Sequence, residues 1–117
     1  MSALGKKLLL KPGMKVALAG EPADQRPLYG GIELTSAKAD AVVLYSATAK
    51  ELTALLPRAR KLLGADARLW VAYPKAKTLG TDLNRDSLWK LMEPHGFEGV
   101  RLVSLDDTWS AMMFRKA

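Results

Sequence analysis

Cysteine is absent from the 117 residues. That removes disulfides, thiolate metal sites and cysteine nucleophiles together, and it fits a reducing compartment. Histidine occurs once, as His95, so a zinc centre lacks ligands. Long apolar runs are missing as well. Only three leucines follow Lys6-Lys7, which is far short of a signal-peptide core, and no later run approaches the roughly 20 residues of a membrane span. The expectation is a cytoplasmic protein with no membrane association.

What is present is an ordinary globular composition, 49% hydrophobic and 26% charged, with a formal net charge of +6. The length suits one core, read as a single α/β domain over residues 1–117 with a basic lead-in at 1–12. The positive balance favours a small anionic ligand, an acidic protein surface or nucleic acid as partner. Because the basic residues are spread along the chain and no nucleic-acid motif accompanies them, nucleic acid is the weakest of the three. Oligomeric state is left open.

The order of elements follows from periodicity and punctuation. Lys11-Pro12-Gly13 is a turn, and Lys15 to Gly20 is short, small and apolar, as befits a strand buried on both faces. Glu21 to Gly31 carries two prolines and a Gly-Gly pair, which makes a loop with one helical turn beginning at Pro22. Ile32 to Thr35 reads as an edge strand and Ala41 to Ser46 as a central one. Thr48-Ala49-Lys50-Glu51 is a capping box, followed by Leu52, Leu55, Leu56, Ala59, Leu62 and Leu63 at helical spacing. Pro57 is expected to kink that helix or divide it, and Gly64 to end it as a left-handed residue. Arg68 to Tyr73 is the next strand. A helix from Leu83 to Pro94 is capped by Asn84, with Trp89 at the border of its buried stripe. Val100 to Leu105 and Trp109 to Arg115 are joined by too few residues for a parallel crossover, so they pair as an antiparallel hairpin.

Parallel strands with crossover helices, closed by that hairpin, resemble a truncated class I methyltransferase domain. The implied fold is a three-layer Rossmann-like one with a mostly parallel sheet, its last strand inserted beside Leu69 to Tyr73. Lys11-Pro12-Gly13-Met14-Lys15-Val16 looks like the turn into the first strand of such a domain. The stretches Trp70-Val71 with Pro74-Lys75, and Asp106-Asp107-Thr108-Trp109-Ser110, are similar to those of a bacterial family of unknown function, which implies the fold and no activity. Methyltransferases that use S-adenosylmethionine follow the first strand with a glycine-rich loop, whereas this chain has Ala19-Gly20-Glu21-Pro22-Ala23. The expectation is therefore no cofactor, with S-adenosylmethionine disfavoured.

In open parallel sheets, ligands bind beyond the carboxyl ends of the strands. The residues placed there are Gly20, Glu21, Ser46, Tyr73, Pro74, Lys75, Lys77, Asp106, Asp107 and Trp109. Lys75 and Lys77 suit an anion, Asp106 and Asp107 an ion pair or a general base, and Tyr73 with Trp109 a stacking platform. Turn chemistry alone also explains Asp106-Asp107. His95, at a helix end, falls at the opposite edge from Ser46 and Asp106, which excludes a Ser, His, Asp arrangement. A carboxylate magnesium site would need a third partner. The leading expectation is a non-enzymatic binding or regulatory module with its ligand or partner at this edge. The alternatives are a small enzyme using Lys75, Asp106 and Asp107, and a basic nucleic-acid accessory protein.

Overall fold

The computed structural model describes residues 3–11, 13–75 and 81–116. In chain order they form α1 (Ala3–Lys7), β1 (Lys15–Ala19), a 3-10 helix (Ala23–Tyr29), β2 (Glu33–Leu34), β3 (Ala39–Tyr45) and α2 (Ala49–Leu62). Then follow β4 (Leu63–Pro74), α3 (Arg85–Met92), a 3-10 turn (Glu93–His95), β5 (Phe97–Ser104) and β6 (Trp109–Lys116). One sheet collects the six strands in the order β2-β1-β3-β4-β6-β5. The pairs from β2 to β4 are parallel, and β6 runs antiparallel to both of its neighbours. The three-layer Rossmann-like architecture with an antiparallel carboxyl-terminal hairpin is thus observed, and β6 lies beside β4 as expected.

The apolar runs form central strands because each of their faces is covered. Val42, Leu44 and Val71 turn to one side, where Leu52, Leu56 and Ala59 of α2 and Leu88 and Met92 of α3 meet them. Val43, Tyr45, Trp70 and Ala72 turn to the other, against Leu8, Leu10, Tyr29 and Trp109. Each fully buried leucine here contributes roughly 1.5–3 kcal/mol relative to exposure. Among the described residues, no helix is long and apolar enough to cross a membrane.

α2 begins at Thr48, whose hydroxyl accepts from the Glu51 amide at 3.2 Å. The Glu51 carboxylate accepts from the Ala47 amide at 3.2 Å, one residue short of a full capping box. The helix continues through Pro57 as one element. Division into two pieces does not occur, because Pro57 and Thr53 both lie on the exposed side, where water can serve the carbonyl that Pro57 leaves without a donor.

The end of α2 departs from expectation. Gly64 is no left-handed cap; it lies within β4, which starts at Leu63 and pairs Leu63 with Ala39 across a register irregularity. Glycine is needed there for a different reason, since a Cβ would come within 2.9 Å of the Ala39 carbonyl oxygen. What reads as a connection is therefore strand.

α3 has the full reciprocal cap: the Asn84 side chain accepts from the Ser87 amide and the Ser87 hydroxyl accepts from the Asn84 amide, both at 2.9 Å. Trp89 stands at its border, 40% exposed.

Candidate functional site

β1, β3 and β4 end at the same edge of the sheet, and β6 begins there, because it alone of the four is reversed. The edge therefore carries, in spatial order, Gly20-Glu21, Ser46, Tyr73-Pro74-Lys75 and the Asp106–Trp109 turn. Lys77, with the rest of residues 76–80, lies outside the described residues.

At the β1 end Gly20 takes φ +70°, and a Cβ there would sit 2.7 Å from the Tyr45 carbonyl oxygen and 2.5 Å from a Leu55 methyl. The main chain leaving β1 is thus pressed against the end of β3. Glu21 then accepts from Arg26 at 2.6 Å. Ser46 donates its amide to the Ala72 carbonyl at 3.0 Å. Its hydroxyl is buried and has no hydrogen-bond partner among the described residues.

The hairpin turn is braced by its own charges. One oxygen of Asp106 accepts from the amides of Thr108 (2.8 Å) and Trp109 (2.7 Å), the other from the Gln25 amide nitrogen at 2.9 Å. Burial pushes the Asp106 carboxyl up, but these bonds and the nearby Lys75 charge outweigh it and hold the group below its ordinary value. Both oxygens are occupied, so Asp106 acts here as an ionised acceptor that fixes the turn. Lys75 donates its amide to the Thr108 carbonyl (2.8 Å) and its ammonium to the Ser104 hydroxyl (2.7 Å). The ion pair expected between Lys75 and the aspartates is replaced by this link to Ser104. Asp107 is exposed.

Below the turn is a polar chain that the sequence did not announce. Gln25, 2% exposed, joins Asp106 to the Tyr45 hydroxyl (3.1 Å), which meets the Tyr29 hydroxyl at 2.8 Å. Trp109 packs edge-on against Tyr45 with ring centroids 5.1 Å apart. Burial raises Tyr45 to about 12 and raises Tyr29 further. The chain fastens the 3-10 helix to the hairpin.

Tyr73 and Trp109 do not form a platform. Tyr73 pairs with Ser110 and Pro74 with Trp109, and adjacent strand residues point to opposite faces, so the two rings belong to different sides of the sheet. His95 is at the far edge, where Arg60 donates to its carbonyl. No cluster of metal-ligating side chains exists among the described residues.

The strand order turns in opposite directions between β1 and β3, towards β2 on one side and β4 on the other, and Gly20 at the end of β1 presses against the Tyr45 carbonyl at the end of β3. The fold is Rossmann-like and similar to a truncated class I methyltransferase domain. A TehB-like SAM-dependent methyltransferase from Corynebacterium glutamicum is similar over 96% of this chain and 85% of its own, with a TM-score of 0.65 and 14% identity. The 1,6-didemethyltoxoflavin-N1-methyltransferase of Burkholderia thailandensis, with bound S-adenosylhomocysteine, is similar over 97% of this chain and 75% of its own, with a TM-score of 0.61 and 15% identity. The magnesium protoporphyrin IX methyltransferase of Synechocystis, with bound SAM, is similar over 81% of this chain and 51% of its own, with a TM-score of 0.53 and 14% identity. No family model and no curated protein matches. Identities this low establish the methyltransferase fold alone.

They also correct one expectation. The missing glycine-rich loop predicts that S-adenosylmethionine is disfavoured, yet the methyltransferases similar in fold include structures holding that cofactor or its product. The physical reason is that glycine serves such a site by letting the main chain turn tightly and come close to a ligand, and this chain keeps one at the end of β1, Gly20, with φ +70°. Loop composition therefore does not exclude the cofactor.

Proposed function

We propose that this methyltransferase-fold domain binds S-adenosylmethionine, or S-adenosylhomocysteine, at the switch point between β1 and β3. The observation that carries the reading is the close approach of Gly20 to the Tyr45 carbonyl oxygen, at the end of β3 just before Ser46, where the strand order diverges, the place at which open α/β sheets take ligands. The Ser46 hydroxyl fits a polar ligand, since it is buried without a described partner and such groups are normally paired. The Glu21 carboxylate, held by Arg26, suits the ribose hydroxyls or the amino group of the ligand. Tyr73 walls the side of α2 and α3. Glu33, on the short second strand, stands at the opposite edge beside Lys15 and takes no part.

When bound, the cofactor supplies an electrophilic methyl group on its sulfonium. The residues of this chain orient it through the β1 and β3 ends. Asp106 accepts three hydrogen bonds that fix the turn, so the reading assigns it no proton transfer and rests on binding and presentation of the ligand.

Thermal denaturation with added S-adenosylhomocysteine and S-adenosylmethionine tests it. The midpoint should climb with the logarithm of ligand concentration, and Ser46→Ala should remain folded and weaken the response. Unchanged midpoints with both ligands at millimolar concentration would overturn the reading.

A further inference from the structure

A second site lies on the open edge of β1, and it does not depend on the adenosyl reading. β2 covers only the start of β1, through Lys15↔Glu33 and Val16↔Leu34. It is closed by the Thr35 amide donating to the Val16 carbonyl at 2.9 Å. Main-chain polar groups alternate sides along a strand, so those of Leu18 point the same way as those of Val16, to a position where no described strand lies opposite. Beside them is a cleft of about 290 Å³. Leu18, Leu34 and Leu62 give it apolar walls, while Arg58 of α2 and the Glu21–Arg26 ion pair give it charge. Arg58 is exposed and has no ion-pair or hydrogen-bond partner among the described residues.

We propose that this cleft binds the carboxyl-terminal end of a peptide as a short added strand. An amide unit of the peptide satisfies the Leu18 N–H and C=O, as strand addition does at other sheet edges. An apolar side chain lies against Leu34 and Leu62, and the terminal carboxylate meets the Arg58 guanidinium, which favours that group geometrically. A chain end fits because Arg58 is the cleft's one cation without a described partner, the Arg26 charge being already paired with Glu21. The volume, at the small end of ligand pockets, also suits only a residue or two.

The test uses amide chemical-shift mapping of the full chain with the tetrapeptide acetyl-Ala-Thr-Val-Leu bearing a free carboxylate, and with its carboxyl-terminal amide. Saturable shifts are expected at Leu18 and Thr35. The amidated peptide should bind about tenfold more weakly, and Arg58→Ala should cost the acid peptide about tenfold, in line with loss of a charged hydrogen bond. Arg58 is exposed, so the variant keeps its fold, and shifts elsewhere in the spectrum check this. No shifts at millimolar peptide, or equal affinity for acid and amide, would each overturn the proposal. Failure of S-adenosylhomocysteine to bind at all sinks the adenosyl reading and leaves this one standing.

Discussion

Gly64 lies so close to Ala39 that a Cβ on the glycine would come within 2.9 Å of the Ala39 carbonyl oxygen. Backbone stands on both sides of that approach, so neither partner yields without moving a strand. Gly64→Ala should therefore destabilise the protein by about 1–3 kcal/mol, the usual cost of overpacking. Chemical denaturation measures it. A loss within 0.5 kcal/mol, roughly what a neutral surface change gives, would show that β3 and β4 can part at that point without strain.

Asn84→Ala removes the reciprocal cap of a helix only eight residues long. Loss of about 1 kcal/mol is expected. Hydrogen exchange should show the first turn of α3 opening before β4, since a short helix depends on its ends.

Acid should act through Asp106. Its folded carboxyl sits below the ordinary value, so the stability it contributes is fully present above the unfolded value near pH 4 and is lost as pH falls through the folded one. Asp106→Asn keeps an acceptor for Thr108 and Trp109 but sets an amide against the Gln25 amide nitrogen. The variant should melt below the parent at pH 7, and the gap should narrow below about pH 4. A constant gap down to pH 2 would mean that the charge of Asp106 plays no part.

Alkali should act through the tyrosines. Burial raises Tyr29, Tyr45 and Tyr73 alike, Tyr45 to about 12 and Tyr73 with partial relief from Arg85. Stability from a raised group is present below its unfolded value near pH 10 and is lost as pH rises towards the folded one. Phenolate absorbance at the 295 nm band should then appear together with loss of the circular dichroism signal. Titration of a tyrosine near pH 10 with the fold intact would contradict this.

The strands were legible because a parallel strand covered on both faces must be apolar throughout, and Ala41 to Tyr45 and Leu69 to Tyr73 are. The start of β4 was not. Gly64-Ala65-Asp66-Ala67 has the composition of a turn, and only pairing with β3 makes it a strand, a tertiary effect that local propensity does not carry. The candidate edge was legible from topology, since strand direction alone places Gly20, Ser46, Tyr73 and Asp106 in one row. Which way each side chain faces was not, because a shift of one residue in hairpin register exchanges the faces; Tyr73 and Trp109 fell on opposite sides for that reason. Gln25 and Tyr29 sit in a proline-punctuated loop without period, and nothing short of the folded hairpin identifies them as the link to Asp106.

The position of β6 between β4 and β5 sets the order of events during synthesis. Until Trp109–Lys116 has been made, β4 has a bare flank and β5 has no neighbour on either side, so a growing chain displays unpaired apolar strand. The sheet closes only when the latest of its strands arrives, by contacts that span residues 69–114. Assembly is therefore delayed rather than progressive, and during that interval the nascent chain presents apolar strand on which it can self-associate.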